Sequence, residues 1–343
     1  MNWTKRFAQR THLMKRTAVR ELLKLASRPE IISFAGGLPA AELFPVRRVK
    51  EAVAAVLDRV GGQSLQYGET EGIAGLRNWI AGQFTRPGFR VEPHNVMITS
   101  GAQQGLDLIG RVLLDQGDRV IVETPTYLAL LSAWRPLGVE FLAVPSDSQG
   151  LQVQALDGLL PRQPKLMYVA PNFQNPQGTT LSRERRQTLV KWIQDNQVPV
   201  VEDNPYGELR YSGEVLPNLL GLDGLNPDGS PIIYTGTFSK VLMPGLRVGW
   251  VIAPREVIDK LVQTKQSADL HTSTLTQHVA LELVSHGFIE EFLPVICKTY
   301  RERRDTMLEA LDQYFPNIAT WTRPEGGMFL LVTWPEQINA AEL

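Results

Sequence analysis

The tetrapeptide Thr237-Phe238-Ser239-Lys240 sets a lysine beside two hydroxyl residues, at the C-terminal end of the β-rich run Ile232–Thr237. Open α/β sheets present functional groups to ligands at those strand ends. Seven residues on stands Arg247, within Gly245-Leu246-Arg247-Val248-Gly249. Burial and a neighbouring cation both lower a lysine pKa, and a lysine tuned in this way can attack a carbonyl to form a Schiff base. Taken alone, the same residues also describe a surface lysine on a turn.

Three more segments share this strand-end placement. Ser100-Gly101-Ala102-Gln103-Gln104 follows the run Val96–Thr99 and opens the amphipathic stretch Ala102–Leu114. A glycine at such a turn exposes backbone N–H groups at the positive end of a helix, which suits phosphate; a plain cap by Ser100 is the alternative. In Val201-Glu202-Asp203-Asn204-Pro205-Tyr206 an apolar run ends in two carboxylates, with a phenol three residues beyond Asp203. An acid there can pair with a protonated ring nitrogen, although Asp203-Asn204-Pro205 also reads as a turn. Pro171-Asn172-Phe173-Gln174-Asn175-Pro176-Gln177-Gly178 again follows a strand, and Asn175 either belongs to an ordinary turn or presents its amide to a pocket. A lysine, a strand-end acid, a phosphate cradle and an arginine are together the parts that pyridoxal 5′-phosphate (PLP) requires: an amine for its aldehyde, an acid for its ring nitrogen, donors for its ring oxygen and a helix N-terminus for its phosphate.

The elements that must position these residues alternate. Short β-rich runs at Val96–Thr99, Arg119–Glu123, Val139–Val144, Leu166–Ala170, Val198–Glu202, Ile232–Thr237 and Val248–Ala253 are separated by amphipathic stretches such as Ala102–Leu114, Tyr127–Leu137 and Arg183–Asn196. Several runs are continuously apolar, as strands covered on both faces are. The alternation predicts an α/β fold with a mostly parallel sheet. Residues 63–286 form the expected large domain. Residues 1–62 and 287–343 flank it and are expected to pack as a smaller α+β domain, with a long charged helix over Phe288–Phe315 and a strand over Gly327–Trp334.

Composition narrows the function. The 343 residues carry 35 Lys and Arg against 36 Asp and Glu, so no general electrostatic drive favours nucleic acid or an anionic membrane. The single cysteine, Cys297, excludes an internal disulfide and a multi-cysteine zinc site and fits a reducing cytoplasm. No apolar run is long enough to span a bilayer. The N-terminus is basic but lacks the apolar core of a secretory signal, and it reads as a helix lying on the body of the protein. Dinucleotide, P-loop, nucleophile-elbow and zinc-helix motifs are missing. The five histidines show no metal-ligand spacing; His271 and His278 share a possible helix face, where packing is the expected role.

With these residues in hand, the chain resembles the fold-type-I PLP-dependent aminotransferases, class I/II, above all the 2-aminoadipate and kynurenine aminotransferase branch. The likeness rests on the segments above and on Ser33-Phe34-Ala35-Gly36-Gly37-Leu38-Pro39, Leu65-Gln66-Tyr67-Gly68-Glu69-Thr70-Glu71-Gly72, Ala268-Asp269-Leu270-His271-Thr272 and Arg323-Pro324-Glu325-Gly326-Gly327-Met328-Phe329. It covers the chain from about Thr17 to its end.

The resemblance implies a mostly parallel seven-stranded sheet and a set of roles. Lys240 would carry the cofactor and shuttle the substrate proton, and Asp203 would keep the ring nitrogen protonated. Asn175 and Tyr206 would bind the ring oxygen, and Tyr127 would stack on the ring. Ala102 and Gln103 (by backbone N–H), Thr237, Ser239 and Arg247 would bind phosphate. Tyr67 would reach the phosphate of a neighbouring subunit, implying a homodimer with shared sites. Gly37 and Asn175 would line the substrate, and Thr17 and Arg20, on an N-terminal helix, would meet its side chain. The implied reaction moves the amino group of 2-aminoadipate, an aromatic or a branched-chain amino acid to a 2-oxo acid such as 2-oxoglutarate. A lyase or decarboxylase would use the same residues, and a non-catalytic PLP-binding regulatory module is a third alternative. The family places the arginine that clamps the substrate α-carboxylate beyond Leu343; no residue here is assigned that role. Either the chain continues past Leu343, or it binds cofactor without efficient turnover.

Overall fold

The computed structural model describes residues 1–14, 30–34 and 36–340. Eight strands form the central sheet: β1 (Val96–Thr99), β2 (Arg119–Thr124), β3 (Glu140–Asp147), β4 (Gly150–Leu151), β5 (Leu166–Val169), β6 (Val200–Asp203), β7 (Ile232–Thr237) and β8 (Gly249–Ile252), in the order β1-β8-β7-β6-β5-β2-β3-β4. β3, β2, β5, β6 and β7 run parallel, while β8 is antiparallel to both β7 and β1. Two reversals restore the direction, so β1 ends on the same edge as the parallel strands. The sheet has one strand more than expected. β3 runs past Val144 to Asp147, whose carboxylate accepts from Gln149 N at 2.8 Å, and the chain folds back at Gly150 (φ +88°) into the two-residue β4.

The continuously apolar runs are covered on both faces. Ile121, Met167, Val169, Val200, Ile232 and Tyr234 point into one core, with the helices Ala74–Phe84, Arg183–Asn196 and Thr274–Ser285. Val120, Val122, Leu166, Tyr168, Val201 and Ile233 point into the other, with Ala102–Leu113, Leu128–Trp134 and Arg255–Ala268. This is the period-2 alternation of a strand sandwiched between helical layers. The helix Val46–Arg59 adds Ala52 and Val56 to the first core. A third cluster joins Ala40, Phe173, Tyr206 and Tyr211 to Ile296 and Tyr300 of the long helix Phe288–Tyr314.

Three local expectations change. The described N-terminal residues make two short 3-10 turns, Trp3–Arg6 and Gln9–Leu13, separated by extended Phe7 and Ala8, instead of the first part of an α-helix. Within Gly327–Trp334 only Val332–Thr333 pairs, with Thr320–Trp321. Gly326 and Gly327 instead press against the Phe173 side chain, where a Cβ would come within 2.4 Å. His271 lies in the turn before the helix that carries His278, so the two share no helix face. Among the described residues no helix is long and apolar enough to cross a membrane.

β8 also sets where the helix Ala102–Leu113 begins. A Cβ on Gly249 would lie 2.7 Å from both Ala102 N and Gly101 C, and 2.8 Å from Gly236 O. Backbone on both sides leaves no flexible group to yield. Gly249→Ala should therefore cost about 1–3 kcal/mol, read as a lower denaturant midpoint at unchanged m-value; an unchanged midpoint would show that the contact relaxes freely.

Candidate active site

Because β1, β5, β6 and β7 all end on one edge of the sheet, the segments leaving them converge. A cavity of about 170 Å³ opens there, lined by Ala102, Gln103, Tyr127, Asn175, Asp203, Tyr206, Thr237, Ser239, Lys240 and Arg247, with Leu106, Tyr168, Ala170, Pro205 and Pro244 completing the wall. Every sequence-predicted cofactor residue except Tyr67 lines it.

At one end is a helix N-terminus. Gly101 caps the helix Ala102–Leu113 at φ +85°, a conformation that favours glycine. A Cβ at this position would meet Arg247 Nη2 at 2.5 Å. Arg247 reaches across Gly101 and donates from Nη2 to Ser100 O at 3.0 Å. Its own backbone is left-handed, φ +52°, at the close of the 3-10 turn Pro244–Leu246. Thr237 Oγ1 donates to Ser239 Oγ at 2.9 Å and accepts from Ser239 N at 3.1 Å, so the turn at the end of β7 holds both hydroxyls beside the lysine. Backbone N–H groups, two hydroxyls and a guanidinium thus surround a cradle that has no room for another side chain, as an anion site requires.

Deeper in the cavity, Asp203 is buried. Its Oδ1 accepts from Thr235 Oγ1 at 2.6 Å and its Oδ2 from Tyr168 Oη at 2.8 Å. Among the described residues no lysine or arginine forms an ion pair with it. Burial raises its pKa, against the pull of those two hydrogen bonds. A buried carboxylate held by neutral donors alone is a receptor for a cationic hydrogen-bond donor.

Lys240 lies half-buried, with Nζ 3.4 Å from Gly37 O and 5.8 Å from the centre of the Tyr206 ring. Burial, and then the Arg247 charge, lower its pKa to about 8. Tyr127 donates to Gln103 Oε1 at 3.3 Å; burial and then Asp203 push its phenol up to about 12, so it stays protonated. Burial raises the Tyr206 phenol, against a smaller lowering by the nearby Asn175 amide. Gly37 (φ +55°) turns beside the Phe329 ring.

Thr17 and Arg20 lie outside the described residues. Tyr67 does not line this cavity; it is 79% exposed, with its ring edge-on to His271 at 5.8 Å. Sequence reasoning missed Thr235 and Tyr168. Thr235 sits directly opposite Asp203 in the β6–β7 register, and Tyr168 is the one polar tip in the buried strand Leu166–Val169. The cross-strand neighbour and the buried phenol were the available signals, and both depend on knowing the strand pairing.

The family described as aminotransferase class I and II matches residues 30–343. Aromatic-amino-acid aminotransferase 1 of Thermococcus litoralis is 42% identical over 99% of this chain and 82% of its own length. The 2-aminoadipate transaminase of Thermus thermophilus is 42% identical over 100% of this chain and 85% of its own. The crystal structure of the multiple substrate aminotransferase from Thermococcus profundus superposes with a TM-score of 0.92 at 43% identity, covering 100% of this chain and 86% of that one.

The depressed lysine has a consequence for stability. An unfolded lysine keeps its proton well above pH 8, whereas folded Lys240 sheds it at about 8. The penalty for holding this cation is therefore complete below pH 8 and disappears as pH rises toward the ordinary lysine value. Lys240→Met should raise the melting temperature of the cofactor-free chain at neutral pH, with a gain that shrinks in alkaline buffer. A pH-independent gain would mean the amine is not depressed.

Proposed function

The chain belongs to the class I and II aminotransferases, and from that premise we propose that these cavity residues bind PLP and transfer an amino group from 2-aminoadipate, an aromatic or a branched-chain amino acid to a 2-oxo acid such as 2-oxoglutarate. The observation that carries this reading is the cavity's charge layout. Among the described residues Asp203 pairs with no cation, Lys240 is depressed, and the Gly101–Arg247 cradle suits an anion. Bound PLP supplies an aldehyde for amines and a protonated ring that draws electrons from the substrate Cα.

The chain's own groups do the rest. Ala102 and Gln103 backbone N–H groups, Thr237, Ser239 and Arg247 hold the phosphate. Asp203 accepts from the ring N–H and keeps the nitrogen protonated, while Tyr168 and Thr235 fix its two oxygens. Asn175 and Tyr206 donate to the ring oxygen, and Tyr127 covers one face. Lys240 would carry the PLP aldehyde and, with its Nζ free, would be the base that takes the proton from the substrate Cα. The lowered pKa keeps a useful fraction of that amine neutral near physiological pH. Gly37 flanks the substrate. A reducing cytoplasm suits a chain whose one cysteine, Cys297, is free.

A second copy of the chain would complete the site. Tyr67 is too exposed to serve the cavity of its own chain, and Leu65 beside it is 66% exposed. Placed against a partner, this segment carries a phenol to the other cavity's phosphate. The smaller domain built from residues 1–62 and 287–343 belongs to the same reading.

Borohydride reduction of the PLP-loaded chain, followed by peptide mapping, should place the label on Lys240; a label elsewhere, or none, would refute the assignment. Asp203→Ala should slow the half-reaction with an amino donor by at least about a hundredfold, as read from cofactor absorbance, while the fold is retained. Near-normal rates would remove Asp203 from the mechanism. In the dimeric fraction, Tyr67→Phe should weaken PLP retention severalfold; a monomeric wild type that loads fully would refute the shared site.

A further inference from the structure

Behind the cradle lies a polar cluster, none of whose members lines the cavity. Lys265, on the helix Arg255–Ala268, is fully buried. Its ammonium donates to Gln104 Oε1 at 2.7 Å and to Asp269 Oδ1 and Oδ2 at 2.8 and 2.9 Å. Gln104 Oε1 also accepts from Ser100 N at 2.8 Å, and its Nε2 donates to Asp269 Oδ2 at 2.6 Å. Ser100 Oγ lies 3.3 Å from both Asp269 Oδ2 and Thr272 Oγ1.

Ser100 is thus gripped on two sides. Its N–H and hydroxyl are held from behind, and its carbonyl accepts from Arg247 at 3.0 Å in front. The residue that follows is Gly101, the cap of the phosphate-facing helix. We infer that Lys265 is a positioning residue for the phosphate end of the cofactor, acting through Gln104 and Asp269 on the Ser100–Gly101 turn.

The physical case rests on orientation. An amide can present either its oxygen or its nitrogen to Ser100 N–H, and only the oxygen can accept. Lys265 selects the oxygen, because an ammonium only donates and needs an acceptor at that point. Asp269 secures the opposite end by accepting from Nε2. A buried ammonium is costly unless paired and hydrogen-bonded, and apolar side chains fill helix interfaces at lower cost. A lysine retained here for packing alone would have no need to meet three acceptors. The inference rests on the PLP reading above and adds to it a residue outside the cavity.

The test compares two ligands on the full chain: PLP and pyridoxal, which has the same aldehyde and ring but no phosphate. Dissociation constants are measured by equilibrium dialysis, with the lysine-bound form followed by absorbance, for wild type, Lys265→Met, Gln104→Leu and the double variant. The dissociation constant for PLP should rise about tenfold or more in each single variant, the scale of one lost charge-assisted hydrogen bond. Affinity for pyridoxal should be unchanged, and the double variant should be little worse than either single one. Equal losses for both ligands would mean that the cluster only supports the fold, and unchanged PLP affinity would mean that it supports nothing at the cradle; either result overturns the inference. If Lys265→Met fails to fold, Gln104→Leu carries the same comparison. A wild-type chain that takes up neither ligand overturns the functional reading, and this inference with it.

Discussion

The Asp203 carboxylate, buried without a cationic partner among the described residues, is the constraint around which the cavity is organised. Its two oxygens accept from Thr235 and Tyr168. Two neutral hydrogen bonds compensate only part of the cost of burying a charge, which is why the group is pushed toward its protonated form. The same cavity carries Lys240 and Arg247, and no ion pair among the described residues joins either of them to Asp203. An anion and two cations share one enclosure without neutralising each other. A ligand that satisfies all three must itself be dipolar, with a cationic N–H for Asp203 and an anionic end for the Gly101–Arg247 cradle. PLP has that layout, with the aldehyde between its two ends, where a lysine can reach it.

Sheet topology creates this separation of charges. Parallel strands deliver Ala170, Asp203 and Thr237 to one edge, and the antiparallel excursion through β8 returns β1 to the same edge. The helix N-terminus after β1 then faces Lys240 although about 140 residues separate them in sequence. Gly249 makes the approach possible, because its missing side chain lets Gly101 and Ala102 lie directly against β8. Tight backbone packing and the cavity therefore meet at one point: the glycine that permits the close approach also fixes where the helix N-terminus at Gly101 and Ala102 begins.

Much of this was legible in the sequence. The β-rich runs located seven strands, most of them apolar on both faces because both are covered, and the strand-end segments named the cavity wall because ligands collect at those ends. Contributions set by register were not legible. Thr235 matters because it pairs with Asp203 across two strands, and Tyr168 because it leans over from a third. Lys265 reads in sequence as one more polar residue on an amphipathic helix, yet it is fully buried. Where a glycine lets the chain press against a ring, as at Gly327, the strand expected over Gly327–Trp334 shortens to Val332–Thr333.

Glu202 and Asp203 show how far adjacent residues can diverge. Both are carboxylates, both are buried, and burial raises both pKa values. The strand pleat turns them to opposite faces. Glu202 follows the parity of Val200 into the first core, where it accepts from Leu219 N and Leu220 N at 2.9 and 2.8 Å, near the Arg186 charge. Backbone amides and a nearby guanidinium give it a structural task, holding a loop to the sheet. Asp203 follows Val201 toward the second face, the side on which Leu106 and Tyr168 also line the cavity. There its hydrogen-bond partners among the described residues are the Thr235 and Tyr168 hydroxyls, and it lines the cavity. Composition cannot say which of two neighbouring acids does chemistry; strand parity can, because it decides which acid finds its partners within the chain and which must take one from a ligand.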